Sequence, residues 1–288
     1  MAIQTEGVIG IIFPNPRLSA AHIKQFFTDV LETYMKFIRE CVLRGELMAG
    51  AWCNLGSSLT VEMAARIGYD WILLDQEHGP GDNMTLLHQI QAIGSRPAAP
   101  IVRIAWNEMP RFKRALDLGA MGIMVPYVQN AEEATYAVSA MQYPPAGMRG
   151  VASSPRTTGF GSGFKEYFDQ ANDNLLTIVQ IETEKALNNL SAIAAVDGVD
   201  VLFVGPLDLS VSLNLPLNFD QPAFKDALKK VGLVAKEQGK AAGILLPSSA
   251  HIPMVYDMGY RFIAVGSDGG LVMTGMKKTF EAIKEKAQ

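Results

Sequence analysis

Cysteine, tryptophan, histidine and long runs of any one character are what this chain has least of. Only Cys41 and Cys53 occur in 288 residues, with no CxxC spacing, which excludes a disulfide framework and a zinc knuckle and fits a reducing cytosol. No long basic run is present and the formal net charge is -4, which argues against a nucleic-acid surface. Any acidic substrate must therefore be met by local arginines rather than by a global field. No stretch approaches the ~20 apolar residues of a membrane span. The run Val8–Phe13 lacks the basic lead-in and small-residue cleavage site of a signal segment. These absences point to a soluble, cytoplasmic protein.

What is abundant is buried-type character: 49% hydrophobic against 19% charged residues, enough to fill one large core. Short apolar runs alternate with helix-period segments from Met48 onward. The expected strands are Met48–Leu55, Trp71–Glu77, Ile101–Ala105, Gly122–Val128, Leu175–Glu182, Val199–Gly205, Ala241–Leu246 and Phe262–Asp268. Uniformly apolar runs such as Trp71-Ile72-Leu73-Leu74 suit strands covered on both faces. Between them lie amphipathic stretches, among them Met109–Leu118, Ala131–Tyr143, Glu184–Val196 and Pro222–Gln238, several closed by glycines such as Gly68 and Gly119. Eight strand–helix units predict a (β/α)₈ barrel, with a doubly wound open sheet as the alternative.

The expected organisation is an N-terminal extension, residues 1–47, with a helix from Ser19 to Leu43 packing on the barrel, and a catalytic barrel over residues 48–288. The glycine- and proline-rich stretch Pro144–Asn174 reads as a long loop, either a lid or a subunit contact.

In such barrels the reactive groups sit at the C-terminal ends of the strands. Those ends supply Asp75-Gln76-Glu77-His78, Arg103, Gln180-Ile181-Glu182, Asp208 and Ser267-Asp268. Glu182 and Asp208 stand one βα unit apart and suit a hard divalent cation, Mg²⁺ or Mn²⁺, although either acid alone reads equally well as a helix cap. Arg103, inside an apolar strand, needs a partner: a structural ion pair with Asp75 or Glu77, a ligand oxygen, or both. His78 sits in a turn as a base, a ligand or simply exposed, whereas His22, His88 and His251 fall in helical patterns and read as structural. None of the fourteen lysines falls clearly in a strand or at its C-terminal end, which argues against a Schiff-base mechanism.

At these residues the sequence resembles the HpcH/HpaI aldolases, metal-dependent class II aldolases of 2-oxo acids. The likeness runs from about residue 35 to the C-terminus. It is carried by Gly68-Tyr69-Asp70-Trp71 through Asp75-Gln76-Glu77-His78, Pro100-Ile101-Val102-Arg103 and Pro126-Tyr127-Val128-Gln129-Asn130. It continues in Tyr143-Pro144-Pro145-Ala146-Gly147-Met148-Arg149-Gly150, Gln180-Ile181-Glu182-Thr183 and Gly205-Pro206-Leu207-Asp208-Leu209-Ser210. The resemblance implies that Glu182 and Asp208 hold a divalent ion (Mg²⁺ or Mn²⁺, with Co²⁺ a third option). It implies that Arg103 contacts the 2-oxo oxygen and steadies an enolate, and that His78 is a catalytic histidine paired with Asp117. Gln180 would order the shell around the ion, and the backbone amides of Leu207 and Asp208 would hold a pyruvate carboxylate.

The implied reaction cleaves or forms 4-hydroxy-2-oxo acids, giving pyruvate and an aldehyde. The implied assembly is a homo-oligomer, a hexamer or trimer of dimers, with a C-terminal helix of about 270–286 exchanged between neighbours. Two departures stand out: Leu207 occupies a position where alanine is common, and residues 1–34 are extra. Rival readings are an oxaloacetate decarboxylase or macrophomate-synthase-like enolate enzyme, an acyl-CoA lyase, an inactive oligomeric barrel, and a phosphate-sugar isomerase using the loop at Gly266-Ser267-Asp268-Gly269-Gly270.

Overall fold

The computed structural model describes residues 36–285. Eight parallel strands close into a barrel in sequence order: β1 (Met48–Cys53), β2 (Trp71–Asp75), β3 (Ala99–Arg103), β4 (Gly122–Val125), β5 (Leu176–Ile181), β6 (Val201–Val204), β7 (Ala241–Leu246) and β8 (Tyr260–Val265). The β1–β8 pairing, Met48 beside Phe262, makes the closure and removes the open-sheet alternative.

The helices are α1 (Arg39–Leu43), α2 (Ser58–Ile67), α3 (Asn83–Ile93), α4 (Met109–Leu118), α5 (Ala131–Met141), α6 (Phe164–Asn174), α7 (Glu184–Asn188), α8 (Leu190–Ala194), α9 (Pro206–Ser212), α10 (Pro222–Glu237), α11 (Ile252–Asp257) and α12 (Asp268–Glu285). Ser57, Asp82, Asn130 and Thr183 cap the starts of four of them by accepting a backbone N–H of the first turn.

Strand parity decides what fills the barrel. Residues two apart share a face, and Met48, Trp52, Trp71, Leu73, Ile101, Met124, Ile178, Phe203 and Phe262 form one interior cluster. Trp71 stacks on Phe262 at 4.0 Å between ring centroids and meets Phe203 edge-on at 6.5 Å. Gly50 permits this, because a Cβ there would lie 2.0 Å from the indole of Trp71. Ile38 and Val42 join the same cluster from α1 and the residue before it. Arg39 anchors that end through Asp200, with Nε and Nη2 each 2.9 Å from its Oδ1.

Several expectations need correction. The first, second, third, fourth and eighth strands end at Cys53, Asp75, Arg103, Val125 and Val265, two or three residues before the expected ends. The helix expected over Glu184–Val196 is two helices meeting at Asn189, whose side chain donates to the Gln129 carbonyl at 2.8 Å. Pro144–Asn174 is not one loop: it contains a 3₁₀ turn, Arg156–Gly161, and α6, which buries Tyr167 and Ala171. It also follows a helix rather than a strand, so it lies at the end of the barrel away from the mouth. There Arg156 donates to the carbonyl of Leu118, the last residue of α4, at 2.9 Å. The lid reading is thereby withdrawn. Of the helix expected over Ser19–Leu43, residues 36–43 fall among the described residues, and only Arg39–Leu43 of these are helical.

Candidate active site

The interior parity that runs Trp71, Leu73 on β2 and Ala99, Ile101 on β3 brings Asp75 and Arg103 inward at the rim. The strand register sets them side by side. Arg103 donates to both oxygens of Asp75, through Nε at 3.0 Å and Nη2 at 2.6 Å, while its Nη1 lies 2.9 Å from Glu77. The indole of Trp52 lies under the guanidinium, 4.7 Å from ring centroid to Cζ. Asp75 also accepts the backbone amides of Glu77 and His78. Burial alone would raise its carboxyl, but Arg103 overrides that and holds it below the usual range. Arg103 is thus both ion-paired and at the mouth, as the two compatible readings require.

On β5 the same parity, Leu176, Ile178, Gln180, places Gln180 inward and carries on to Glu182 just beyond the strand. Glu182 is 4% exposed. Its partners are neutral: the amide of Tyr127 donates to Oε1 at 2.7 Å and Gln180 Nε2 donates to Oε2 at 2.9 Å. Tyr127 reaches that position with φ 58, a left-handed backbone rare for an aromatic residue. Gly205, just after β6, is equally committed, since a Cβ there would fall 2.5 Å from Glu182 Oε2.

Burial first, then the charges of Asp208 and Glu77, raise the Glu182 carboxyl to about 7 against the relief given by the Tyr127 amide and Arg103. Asp208 sits in the first turn of α9, just past Gly205-Pro206. Among the described residues no group of three or more His, Cys, Asp or Glu gathers into a metal cluster. The residues at the mouth nonetheless suit a hard divalent cation. Four carboxylates, Asp75, Glu77, Glu182 and Asp208, stand around the mouth with one arginine, and the buried Oε1 of Gln180 has no hydrogen-bond partner.

These groups open into one cavity of about 500 Å³, lined by Trp52, Asp75, His78, Arg103, Gln180, Asp208 and an apolar set including Leu207 and Phe219. His78 lies at its edge, its side chain 69% exposed and its Nε2 4.0 Å from Glu77. Asp117 is not brought to it. Asp117 lies in the last turn of α4, which runs for ten residues, about 15 Å, away from the mouth. Within the chain it faces Arg149, at 3.4 Å. Asp268 is also accounted for: it accepts the amides of Asn54 and Leu55 and the hydroxyl of Thr60, which makes it a staple between β8 and β1 rather than part of a phosphate loop. Sequence reasoning had not singled out the structural roles of Tyr127 and Gly205.

A family model described as HpcH/HpaI aldolase/citrate lyase matches residues 48–274. The chain belongs to that family. It is accordingly a carbon–carbon lyase of the aldolase type. A 4-hydroxy-2-oxo-heptane-1,7-dioate aldolase of Salmonella dublin is 40% identical over 237 residues, 82% of this chain and 90% of that protein. An HpcH/HpaI aldolase/citrate lyase family protein of Burkholderia cenocepacia J2315 superposes with a TM-score of 0.80 at 34% identity, covering 83% of this chain and 95% of that one. Macrophomate synthase superposes with a TM-score of 0.74 at 26% identity, covering 88% and 91%. Among the described residues no helix is long and apolar enough to cross a membrane.

Proposed function

We propose that this family member is a metal-dependent aldolase that cleaves 4-hydroxy-2-oxo acids to pyruvate and an aldehyde, or runs the reverse addition. The observation that carries the reading is Glu182: a buried carboxylate with neutral donors and negative neighbours, held by Gln180, which lines the cavity together with Arg103 and Asp208. Glu182 and Asp208 would hold the ion, Mg²⁺ or Mn²⁺ with Co²⁺ a third option, leaving its remaining positions to water and substrate oxygens. When bound, such an ion polarises the 2-oxo carbonyl as a Lewis acid.

The chain's own groups do the rest. Arg103, rigid in its Asp75–Glu77 fork, is aimed at the oxygen that gains negative charge as the C3–C4 bond breaks. The amides of Leu207 and Asp208, in the first turn of α9, have no hydrogen bond within the helix and suit the substrate carboxylate. Gln180 Oε1 is free to orient a water. His78, exposed at the edge, takes the C4 hydroxyl proton; if Asp117 supports it, the pair forms between protomers, given where Asp117 lies in its own chain.

Replacing Arg103 by Ala is expected to lower retro-aldol turnover and pyruvate methyl exchange alike, by about a hundredfold or more. Both persisting at the wild-type rate would remove Arg103 from the enolate step. The similarity to macrophomate synthase favours oxaloacetate decarboxylation or another enolate reaction as the second reading, at the same residues.

Support for a homo-oligomer comes from α12, which buries none of its 18 residues and exposes Leu271, Met273, Met276, Phe280 and Ile283. The neighbouring face of α2 leaves Leu59, Met63 and Ile67 uncovered at helical spacing. An exchange of α12 between protomers in a hexamer or trimer of dimers covers both faces. A cytoplasmic location accords with Cys41 and Cys53, both unpaired.

A further inference from the structure

The cavity lining is chemically mixed: beside the polar groups, which include Asn54 and Ser267 as well as Asp75, Arg103 and Asp208, it holds an apolar set of Leu207, Phe219, Leu245, Leu246 and Pro247. The segment that carries Leu207 and Phe219 is built to keep its shape. After α9 the chain reverses through Asn214 and Leu217, two non-glycine residues with left-handed φ of 57 and 59. Ser210, fully buried, ties that reversal to the mouth: its hydroxyl donates to the Leu207 carbonyl at 2.8 Å and accepts the Leu217 amide at 3.3 Å. Phe219 then packs edge-on against Phe224 of α10, 5.4 Å between ring centroids, with Phe224 buried in the barrel wall. A leucine held in the left-handed region and pinned by a buried hydroxyl marks a segment whose position is fixed.

We propose that this apolar wall receives the aldehyde half of the substrate, selecting an aliphatic or aromatic group without a terminal carboxylate. Phe219 and Leu207 are the side chains that select it. The assignment rests on the aldolase reading and goes beyond it. The Salmonella dublin relative is named for a heptane-1,7-dioate, whose cleavage between C3 and C4 leaves a four-carbon aldehyde ending in a carboxylate. Set against Leu207 and Phe219, that carboxylate gives up part of its hydration to apolar side chains and meets no cation there. Among the described residues Arg103 is the one arginine or lysine lining the cavity, and it is already paired with Asp75 and Glu77. In the synthetic direction C3 of the pyruvate enolate attacks the aldehyde carbonyl, the C3–C4 bond forms, and the new alkoxide takes a proton.

The test compares hexanal, benzaldehyde and succinic semialdehyde as partners for pyruvate, using the full chain with Mg²⁺ or Mn²⁺ and following kcat/KM for product formation. Pyruvate methyl exchange in D₂O is recorded on the same sample. The apolar aldehydes are expected to lead by about tenfold or more. Phe219→Ala should shrink that ratio and Phe219→Arg should turn it toward succinic semialdehyde. Leu207→Arg gives the same reversal should the Phe219 variants not fold. Exchange together with a preference for succinic semialdehyde, or an unchanged ratio in variants that fold, overturns the substrate assignment alone. Absence of exchange with either ion overturns the aldolase reading beneath it.

Discussion

Asp200 and Glu182 are two buried carboxylates at opposite ends of the barrel, and they meet the same problem in different ways. Asp200, 1% exposed just before β6, accepts Arg39 on one oxygen and the Thr177 amide, at 2.9 Å, on the other. Glu182, 4% exposed just after β5, has an amide and a carboxamide as donors, with Asp208 and Glu77 as its charged neighbours. Burial raises both carboxyls, but only for Asp200 does an arginine in direct contact oppose it. The far end is thus finished by its own side chains, whereas at the mouth the proposed cation and substrate would supply the charge that the side chains do not. That contrast separates a residue serving stability from one serving chemistry.

The contrast is broken most visibly at Glu182. Glu182→Gln keeps the shape and the hydrogen-bond reach but removes the charge. Metal-dependent turnover should fall by about a hundred- to a thousandfold, while the urea midpoint without added metal stays level or rises, since an uncompensated buried charge is gone. A large loss of stability would show that Glu182 serves the fold instead. Arg39→Ala makes the opposite cut. Leaving Asp200 without its cation should cost about 3 kcal/mol in urea unfolding, with kcat per folded molecule unchanged. Wild-type stability in that variant would remove the structural role given to the pair.

The pH dependence sharpens the comparison with a smaller effect. The Glu182 carboxyl, raised from 4.5 to about 7, binds more protons in the folded than in the unfolded chain across that window. Stability of the metal-free protein should therefore fall as pH rises from about 4.5 to about 7, by about 2 kcal/mol. Excess Mg²⁺ or Mn²⁺ should cancel the fall, and Glu182→Gln should flatten it. A metal-free profile that rises through the window, as for an acid held by a cation, would contradict the environment described.

Much of the mouth was legible in the sequence because strand parity is rigid. Asp75, Arg103 and Gln180 each stand two residues after an interior apolar residue, which fixes both their direction and their layer. Residues beyond the strands escaped that logic. Tyr127 gives no local sign that its backbone turns left-handed to meet Glu182, and Gly205 owes its identity to a side chain 23 positions earlier. The helix Phe164–Asn174 was hidden behind the glycines that precede it. Asp117 was carried by resemblance alone, and its place in the last turn of α4 sets it apart from His78 within one chain. The unburied α12 was foreseen as a helix, and it leaves Leu271, Met273, Met276, Phe280 and Ile283 exposed.

The most direct measurement of the central claim is deuterium exchange of the pyruvate methyl group in D₂O, followed by NMR with Mg²⁺ or Mn²⁺ and then with EDTA. It reads enolate formation without requiring any aldehyde. The account predicts exchange that depends on the ion, stops with EDTA and is lost in both Glu182→Gln and Arg103→Ala. Exchange that continues in EDTA, or that survives Glu182→Gln, would contradict it.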